Sequence, residues 1–375
     1  MNLPHHKYIA APDEWQACLE TLQSQPRLAI DLEANSMYAY RERVCLIQIS
    51  TSSEDFIIDP LAPLDLSGLG ELVSDSAVEK VFHAAEYDLM LLKRQYGWEL
   101  NNLFDTMWAA RILGYQRYGL ASLLNQLYQV ELDKRYQKSN WCKRPLSLAQ
   151  RTYAQLDTHY LFRLQDHLTG ELKKANRYEE AMETFVEQSR VKLSNNEFSP
   201  DSFWSINGVH DLSRQGQAVL KELNIYRDRE ARRRNKPHFK VFNNRTMLQL
   251  ADRLPRDLHE LRQIHGMTSG QIQRHGPSLL RAIDMGIQAD PPPPAMRNKR
   301  PPDKVLSRYD RLHRWRKERA QARGVESDVI VSRDALWSIA TENPRTLNEF
   351  DRLETIGDWR TKAYGEEILK ILHKK

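Results

Sequence analysis

Cysteine is scarce in this chain of 375 residues, which has only Cys18, Cys45 and Cys142. Because the three are widely separated, they offer neither a Cys-x-x-Cys metal pair nor an even-numbered disulfide framework, which predicts a reducing compartment. The amino terminus lacks the apolar stretch of a signal peptide, and no run approaches the ~18 apolar residues of a membrane span. We therefore expect a cytoplasmic protein that does not enter a membrane.

Negative charge is in short supply in the second half. Residues 1–200 have 21 Lys and Arg against 27 Asp and Glu, whereas residues 201–375 have 34 against 23. This asymmetry predicts that the second half binds a polyanion, the alternative being an arginine-rich solvated surface. The chain also has no Gly-Lys pair, hence no G-x-x-x-x-G-K-[ST] loop, so we expect no nucleoside triphosphate and no ATP-driven motor.

The first half has the pattern of a mixed α/β domain. Apolar alternation and β-branched residues predict strands over 27–33, 44–50, 55–59 and 79–84. Helical spacing predicts helices over 85–97, 105–114, 121–130 and 147–172. Three consecutive strands followed by alternating elements predict a central mixed sheet flanked by helices.

The second half contains a repeat. After about residue 210 the pattern predicts only helices, and the proline-rich run 289–302 is typical of a linker. The segments on either side match at a constant offset of 89 residues, as in Pro255-Arg256 and Pro344-Arg345. We infer two copies of one small helical domain.

Acidic residues occupy three suggestive positions. Asp31 and Glu33 are two apart at the end of a predicted strand, so both point to one face. Asp88 opens the helix after the fourth strand, and Tyr153 and Asp157 lie one turn apart on a later helix. Each has a structural alternative: Asp88 could favour the helix N-terminus, and Tyr153 could be half-buried with Asp157 facing water.

Convergence of these residues would create a metal site. Four carboxylates suit Mg²⁺ or Mn²⁺, which are hard cations. A pair of such ions can activate water and stabilise the leaving oxygen of a phosphodiester. Tyr153 could then orient the attacking water beside Asp157.

The order of these residues resembles a known family. Asp31-x-Glu33, then Asp88, then Tyr153-x-x-x-Asp157 is similar to the tyrosine subclass of the DEDD superfamily of 3′-to-5′ exonucleases. The resemblance extends to the surrounding segments VCLIQIS (44–50), FHAAEYDLMLL (82–92) and LFDTMWAARIL (103–113). The repeated tail resembles two helicase-and-RNase-D C-terminal (HRDC) domains, and the whole arrangement resembles the ribonuclease D family.

The resemblance implies a fold, an activity and roles. It implies an α/β ribonuclease-H-like exonuclease domain and two all-α HRDC domains. It also implies release of nucleoside 5′-monophosphates from single-stranded 3′ ends of RNA, with transfer-RNA precursors as the expected substrate. By this resemblance Asp31, Glu33 and Asp157 bind one divalent ion, Asp31 and Asp88 position a second, and Tyr153 holds the water.

The expected domain boundaries follow from the resemblance and the repeat. They are an exonuclease domain over 1–205, a first HRDC domain over 206–290, a linker over 291–302 and a second HRDC domain over 303–375. The sequence indicates no oligomeric state and does not distinguish Mg²⁺ from Mn²⁺.

Two features concern RNA contacts. The family often has an aromatic residue where this chain has Ala34, and Met37, Tyr38 or Tyr40 could replace it. A basic helix is predicted within residues 225–239, and it contains three consecutive cations that we expect to contact phosphate: Arg232, Arg233 and Arg234. The alternative is that they pair with acids of the same helix.

Two other functions fit parts of the pattern. One is a 3′-to-5′ DNA exonuclease with the same chemistry. The other is a non-catalytic RNA-binding scaffold on an inactive nuclease fold, which the complete set of acids argues against.

Overall fold

The computed structural model describes residues 3–193, 197–294 and 300–373. Contacts within the chain divide it into two compact units. The first unit comprises, of the described residues, 3–34, 44–193 and 300–373. The second comprises 35–43 and 197–294.

A six-stranded mixed sheet forms the centre of the first unit. Its strands are β1 (Lys7–Ile9), β2 (Arg27–Ala34), β3 (Val44–Ser50), β4 (Asp55–Ile58), β5 (Glu79–Phe82) and β6 (Leu103–Asp105), in the order β1-β4-β3-β2-β5-β6. β3 is antiparallel to β2 and β4, whereas β1 with β4, β2 with β5 and β5 with β6 are parallel. The predicted mixed sheet is confirmed, with two three-residue edge strands that the sequence did not reveal.

Within the described residues 3–193, eight α-helices of the first unit accompany this sheet. They are α1 (Pro12–Gln23), α2 (Ser67–Ser74), α3 (Glu86–Tyr96), α4 (Thr106–Leu113), α5 (Leu120–Tyr128), α6 (Leu148–His159), α7 (Leu161–Lys174) and α8 (Tyr178–Ser189). The prediction of one helix over 147–172 is wrong, because α6 ends at His159. There the imidazole Nδ1 lies 2.8 Å from the buried Asp55 carboxylate of β4, so α6 follows the sheet while α7 packs against α4.

The sheet topology gathers several strand ends at one edge. β2, β5 and β6 are parallel neighbours, so their carboxyl ends face the same way. β3 is buried along its whole length, which fits its apolar sequence and its place in the middle of the sheet. α6 packs on β2, β3 and β4, and its start is fixed by a capping box between Ser147 and Gln150. These features place α3, α4 and α6 around the end of β2.

Cys45 and Cys142 form a disulfide bond, with their Cα atoms 5.0 Å apart. The expectation of no disulfide framework was therefore wrong for one pair. An odd number of cysteines does not exclude a single bridge, and the 97 residues between the two hide their proximity. Cys18 is the free cysteine and is buried. The bridge ties β3 to the segment that leads into α6.

Helices are the regular elements of the second unit in its described residues, and no strand occurs there. The unit contains α9 (Arg214–Arg233), α10 (His238–Val241), α11 (Asn244–Arg253), α12 (Leu258–Arg262) and α13 (Ser269–Gln288), packed around an apolar core. The predicted basic helix ends at Arg233, earlier than expected. The connection from β2 to β3 belongs to this unit: the Tyr40 hydroxyl donates to Asp228 at 2.6 Å.

Four more helices complete the first unit. They are α14 (Asp303–Arg323), α15 (Ser327–Ile330), α16 (Arg333–Glu342) and α17 (Asp358–Leu372). α10 and α11 have the same lengths as α15 and α16 and begin 89 residues earlier, which confirms the repeat. The predicted linker 291–302 includes residues 295–299, which lie outside the described residues. No helix in the described part of the chain is both long and apolar enough to cross a membrane.

Arginine–carboxylate pairs attach α14–α17 to the rest of the first unit. The pairs are Arg360 with Glu183 at 2.9 Å, Arg323 with Glu180 at 2.7 Å and Arg111 with Glu326 at 2.6 Å. Arg360 also donates to Thr184 at 3.0 Å and is nearly inaccessible to solvent. Because a charge so deeply buried requires its partner, the Arg360–Glu183 pair fixes how α17 packs on α8.

Candidate active site

The end of β2 carries Asp31 and Glu33 on one face. Leu32 between them is buried on the opposite side, as the alternation of a strand requires. The register between β2 and β3 shifts between Glu33 and Ala34, which is a β-bulge. Bulges often re-aim a side chain beside an active site, and this one immediately follows Glu33.

Asp88 lies in the first turn of α3, directly after the turn that leaves β5. It is 7% exposed, although an unpaired carboxylate normally seeks water. The helix N-terminus gives it partial compensation, as the structural alternative proposed. Burial of this degree, however, needs more than a helix dipole, and its neighbours are other acids.

Tyr153 and Asp157 lie one turn apart on α6, both partly buried. The Tyr153 ring stacks on Trp141 with a centroid distance of 5.8 Å and packs against Tyr136 at 6.2 Å. These aromatic contacts restrict rotation of the Tyr153 side chain. The direction of its hydroxyl is therefore set by the position of the ring on α6.

Burial raises the pKa values of all four carboxylates, and neighbouring carboxylates add to this effect at Glu33, Asp88 and Asp157. Burial raises the pKa of Asp31 to about 7. Burial, followed by the charges of Asp31, Asp157 and Asp88, raises the pKa of Glu33 to about 10. Burial and then the charge of Asp31 raise the pKa of both Asp88 and Asp157 well above the usual range. The structure therefore brings these four residues within electrostatic reach of each other.

Within the described part of the chain, these acids have no cationic partner. The charges that act on the four carboxylates are those of other carboxylates, and no lysine or arginine in the described ranges offsets them. Oxygen donors with uncompensated negative charge fit hard divalent cations. Among the described residues, no three acidic, histidine or cysteine side chains converge closely enough to enclose an ion. The donor chemistry fits divalent metals, while the side chains do not form a closed coordination shell.

Asp105 lies close to Asp88, and no role was predicted for it from the sequence. It ends β6, is 1% exposed, and its charge contributes to the raised pKa of Asp88. Its position directly before α4 marks an N-cap, which is a signal the sequence does contain. Its contacts with the turn before α3 could not be read from that signal.

The predicted RNA-contacting residues lie in the second unit. Arg232 pairs with Asp228 at 3.2 Å, and Arg233 and Arg234 both pair with Glu230, at 2.8 and 3.7 Å. The alternative of pairing within the helix therefore occurs, although all three arginine side chains keep solvent exposure of 31–69%. Phosphate contact by these residues stays a prediction.

Met37, Tyr38 and Tyr40, which could replace the missing aromatic residue, differ in their contacts and in their solvent exposure. Tyr40 donates its hydroxyl to Asp228, and Lys240 lies 4.0 Å from the centroid of the Tyr38 ring. Met37 is 44% exposed. Of the three, Met37 has the most accessible side chain for a base.

Comparisons with known proteins agree with this arrangement. A family model described as 3′-5′ exonuclease matches residues 7–173, and the HRDC domain matches twice, at 216–283 and 305–372. The two HRDC matches begin and end 89 residues apart, at the offset of the repeat.

Three relatives illustrate the similarity. The chain is 31% identical over 288 residues to ribonuclease D of Gluconacetobacter diazotrophicus, which covers 75% of this chain and 72% of the relative. It is 38% identical over 259 residues to the exosome complex component 10 homolog of Caenorhabditis elegans, covering 67% of this chain but only 29% of that relative. The crystal structure of Escherichia coli RNase D superposes with a TM-score of 0.68 over 99% of both chains at 23% identity, which shows the shared fold.

Proposed function

Because this chain belongs to the ribonuclease D family of 3′-5′ exoribonucleases, we propose that it removes nucleoside 5′-monophosphates from the 3′ ends of RNA with two divalent metal ions. The observation that supports this most is the group of four carboxylates, one buried and three partly buried, that no lysine or arginine of the described residues offsets. A fold that keeps such a destabilising group has a use for the cations that neutralise it.

The residues divide into roles that follow the family resemblance. Asp31, Glu33 and Asp157 would hold one ion, and Asp31 with Asp88 would position the other. Two bound ions would supply an activated water and stabilise the leaving 3′ oxygen. Burial and the neighbouring acids raise the pKa of Tyr153, so its phenol stays protonated at neutral pH. Tyr153 therefore holds the water by hydrogen bonding and does not act as a general base.

Single-stranded RNA, with transfer-RNA precursors as the physiological example, is the substrate we propose. RNA is supported by the HRDC pair and by the relatives, whose names refer to RNA. Cleavage rates on RNA and DNA oligonucleotides of the same sequence distinguish an RNA exonuclease from a DNA exonuclease, because contacts to RNA can use the 2′-hydroxyl. Faster cleavage of DNA would favour the DNA exonuclease. Failure to degrade either in Mg²⁺ or Mn²⁺ would favour the non-catalytic scaffold.

The exposed arginines at the carboxyl end of α9 are proposed to add electrostatic affinity for RNA. Phosphate would compete with Asp228 and Glu230 for Arg232, Arg233 and Arg234, whose side chains are partly solvent-exposed. Replacing all three arginines with Gln should reduce the slope of log Kd against log salt concentration. The expected reduction is about 0.7 for each phosphate that an arginine neutralises in the wild type. Lys221→Gln on the same helix is the matched control, and equal slopes for all variants would exclude the contact.

The domain boundaries and the cytoplasmic location given by the sequence analysis stay proposals. The HRDC matches at 216–283 and 305–372 lie inside the proposed domains 206–290 and 303–375. Limited proteolysis with mass spectrometry tests the boundaries, since cleavage should concentrate near residue 205 and in 291–302 if they are correct.

A further inference from the structure

The turn from β5 to α3 has an unusual backbone. Ala84 has a φ of +64°, in the left-handed region that residues with a Cβ atom rarely adopt. Such a conformation persists only when its surroundings enforce it, and strained residues of this kind concentrate at functional sites. Asp88 follows four residues later, in the first turn of α3. The conformation of Ala84 therefore sets the direction in which α3 leaves the sheet and presents Asp88.

The carboxylate of Asp105 holds this turn. One oxygen, Oδ1, accepts a hydrogen bond from the Ala84 N–H at 3.1 Å, and the other, Oδ2, accepts from the Ala85 N–H at 2.9 Å. Oδ1 also accepts from the N–H groups of Met107 and Trp108, at 2.8 and 3.2 Å. One buried side chain thus binds four backbone donors from the starts of two helices.

Strand pairing brings the two segments together. Phe82 at the end of β5 lies opposite Asp105 at the end of β6. Thr106 adds a second connection: its hydroxyl donates to the Phe82 carbonyl at 3.0 Å and lies 2.9 Å from His83 Nδ1. The turn is therefore held from the β6 side on both flanks of Ala84.

We propose that Asp105 is a positioning residue that keeps the strained turn at Ala84 in place, so that Asp88 is directed toward Asp31 and Asp157. This inference rests on the proposed function, in which Asp88 helps to bind a divalent ion. Holding the turn uses both oxygens of the carboxylate, whereas capping α4 alone uses only Oδ1.

The alternative is that Asp105 serves only as the N-cap of α4. Asp105→Ser separates the two roles, because serine is an equally good N-cap but its single short hydroxyl cannot also bind the Ala84 and Ala85 N–H groups. Ala84→Gly provides a second test, because glycine adopts a positive φ without a steric penalty. Adding Ala84→Gly to Asp105→Ser should therefore restore part of what the serine removes.

The experiment uses the full chain and two readouts that do not depend on nuclease activity. Mn²⁺ affinity is measured by electron paramagnetic resonance titration, and amide hydrogen exchange is measured without metal for the peptides that contain 84–89 and 107–110. Asp105→Ser should weaken Mn²⁺ binding about 10–100-fold, the usual effect of removing a residue that orients a ligand. It should also speed exchange in 84–89 while 107–110 stays protected. The double variant should recover at least part of the affinity.

Several outcomes would overturn the proposal. Unchanged exchange in 84–89 would show that Asp105 does not hold the turn, whatever happens to metal binding. Faster exchange with unchanged Mn²⁺ affinity would show that the turn does not position Asp88 for an ion. If the wild-type chain binds no Mn²⁺, the proposed function itself fails and the positioning role fails with it. That result is distinct from failure of an Asp105 variant alone.

Discussion

Burial and then the charge of Asp157, one helical turn further along α6, raise the pKa of the Tyr153 phenol. A phenol and a carboxylate on one helix face usually need no functional explanation. Here Glu33 and Asp31 act on the same phenol from β2, so the pair belongs to a larger acidic group. Tyr153 is therefore the neutral member of that group.

Removing the Tyr153 hydroxyl should slow the chemical step. Tyr153→Phe keeps the ring stacked on Trp141 but can no longer hold the attacking water, so we expect kcat to fall about 100-fold with little change in KM. Steady-state kinetics on single-stranded RNA in Mn²⁺ measure this effect. Tyr136→Phe, which removes the hydroxyl of a packing neighbour, should change kcat less than threefold. Equal effects of the two variants would refute the role of Tyr153.

The stability of the metal-free protein should fall as the pH rises. A carboxyl group whose pKa is raised in the folded state binds its proton more tightly there, so its contribution is lost as pH rises from the unfolded value toward the folded one. For Glu33 this window runs from about 4.3 to about 10.

Thermal unfolding in EDTA between pH 7 and pH 9 tests this expectation, since most histidines are neutral in that range. The Tm of the wild type should drop more than that of Glu33→Gln, and saturating Mn²⁺ should reduce the drop by neutralising the acids. If Glu33→Gln shows the same pH dependence as the wild type, Glu33 does not have a raised pKa.

Breaking the buried contact between α17 and α8 should destabilise the first unit. Arg360 is 3% exposed and pairs with Glu183 and Glu187, so Arg360→Met leaves both carboxylates without their cation. We expect a loss of about 3–5 kcal/mol in the free energy of unfolding, measured with urea. Arg319→Met removes the exposed pair with Glu367 and should cost less than about 1 kcal/mol. Similar losses would show that the contact does not stabilise the unit.

The disulfide should make stability sensitive to reductant. Closing a loop of about 100 residues stabilises a fold by up to about 4–5 kcal/mol in the chain-entropy description, and engineered bridges often give less. A thiol reductant should lower the Tm of the wild type and of Cys18→Ser but not that of Cys142→Ser. Three free thiols in the untreated protein, counted by alkylation and mass spectrometry, would contradict the Cys45–Cys142 bridge.

The sequence predicted the four apolar strands in the middle of the sheet well and missed the two three-residue edge strands. Val44–Ser50 was predicted with its observed bounds, because seven mostly apolar residues between polar flanks leave little choice. Leu103–Asp105 has only three residues, too few for a periodic pattern, so its pairing with β5 appears only in the folded chain. His159, the last residue of α6, contacts Asp55, a partner 104 residues away that no local pattern reveals.

The residues of the site also divide into those that a sequence pattern predicts and those whose contacts appear only in the folded chain. The order and spacing of the four acids predicted that they converge, and the structure places them within electrostatic reach of one another, while their role in metal binding stays a prediction. Asp105 could not be identified in this way, because its role depends on the φ of Ala84 and on strand pairing, neither of which a sequence pattern records. The Cys45–Cys142 bridge was missed for the related reason that sequence separation conceals distance.

The most direct test follows single-stranded RNA labelled at its 3′ end, in Mn²⁺ and in EDTA, with wild-type protein and Asp31→Asn. An amide is a poor ligand for a hard cation but has nearly the shape of the acid, so the variant should fold and bind RNA without cleaving it. We predict that the wild type releases the labelled nucleoside 5′-monophosphate as its first product, only with metal, and that Asp31→Asn releases none. Normal cleavage by Asp31→Asn, cleavage in EDTA, or a first product longer than one nucleotide would contradict the two-metal exonuclease mechanism.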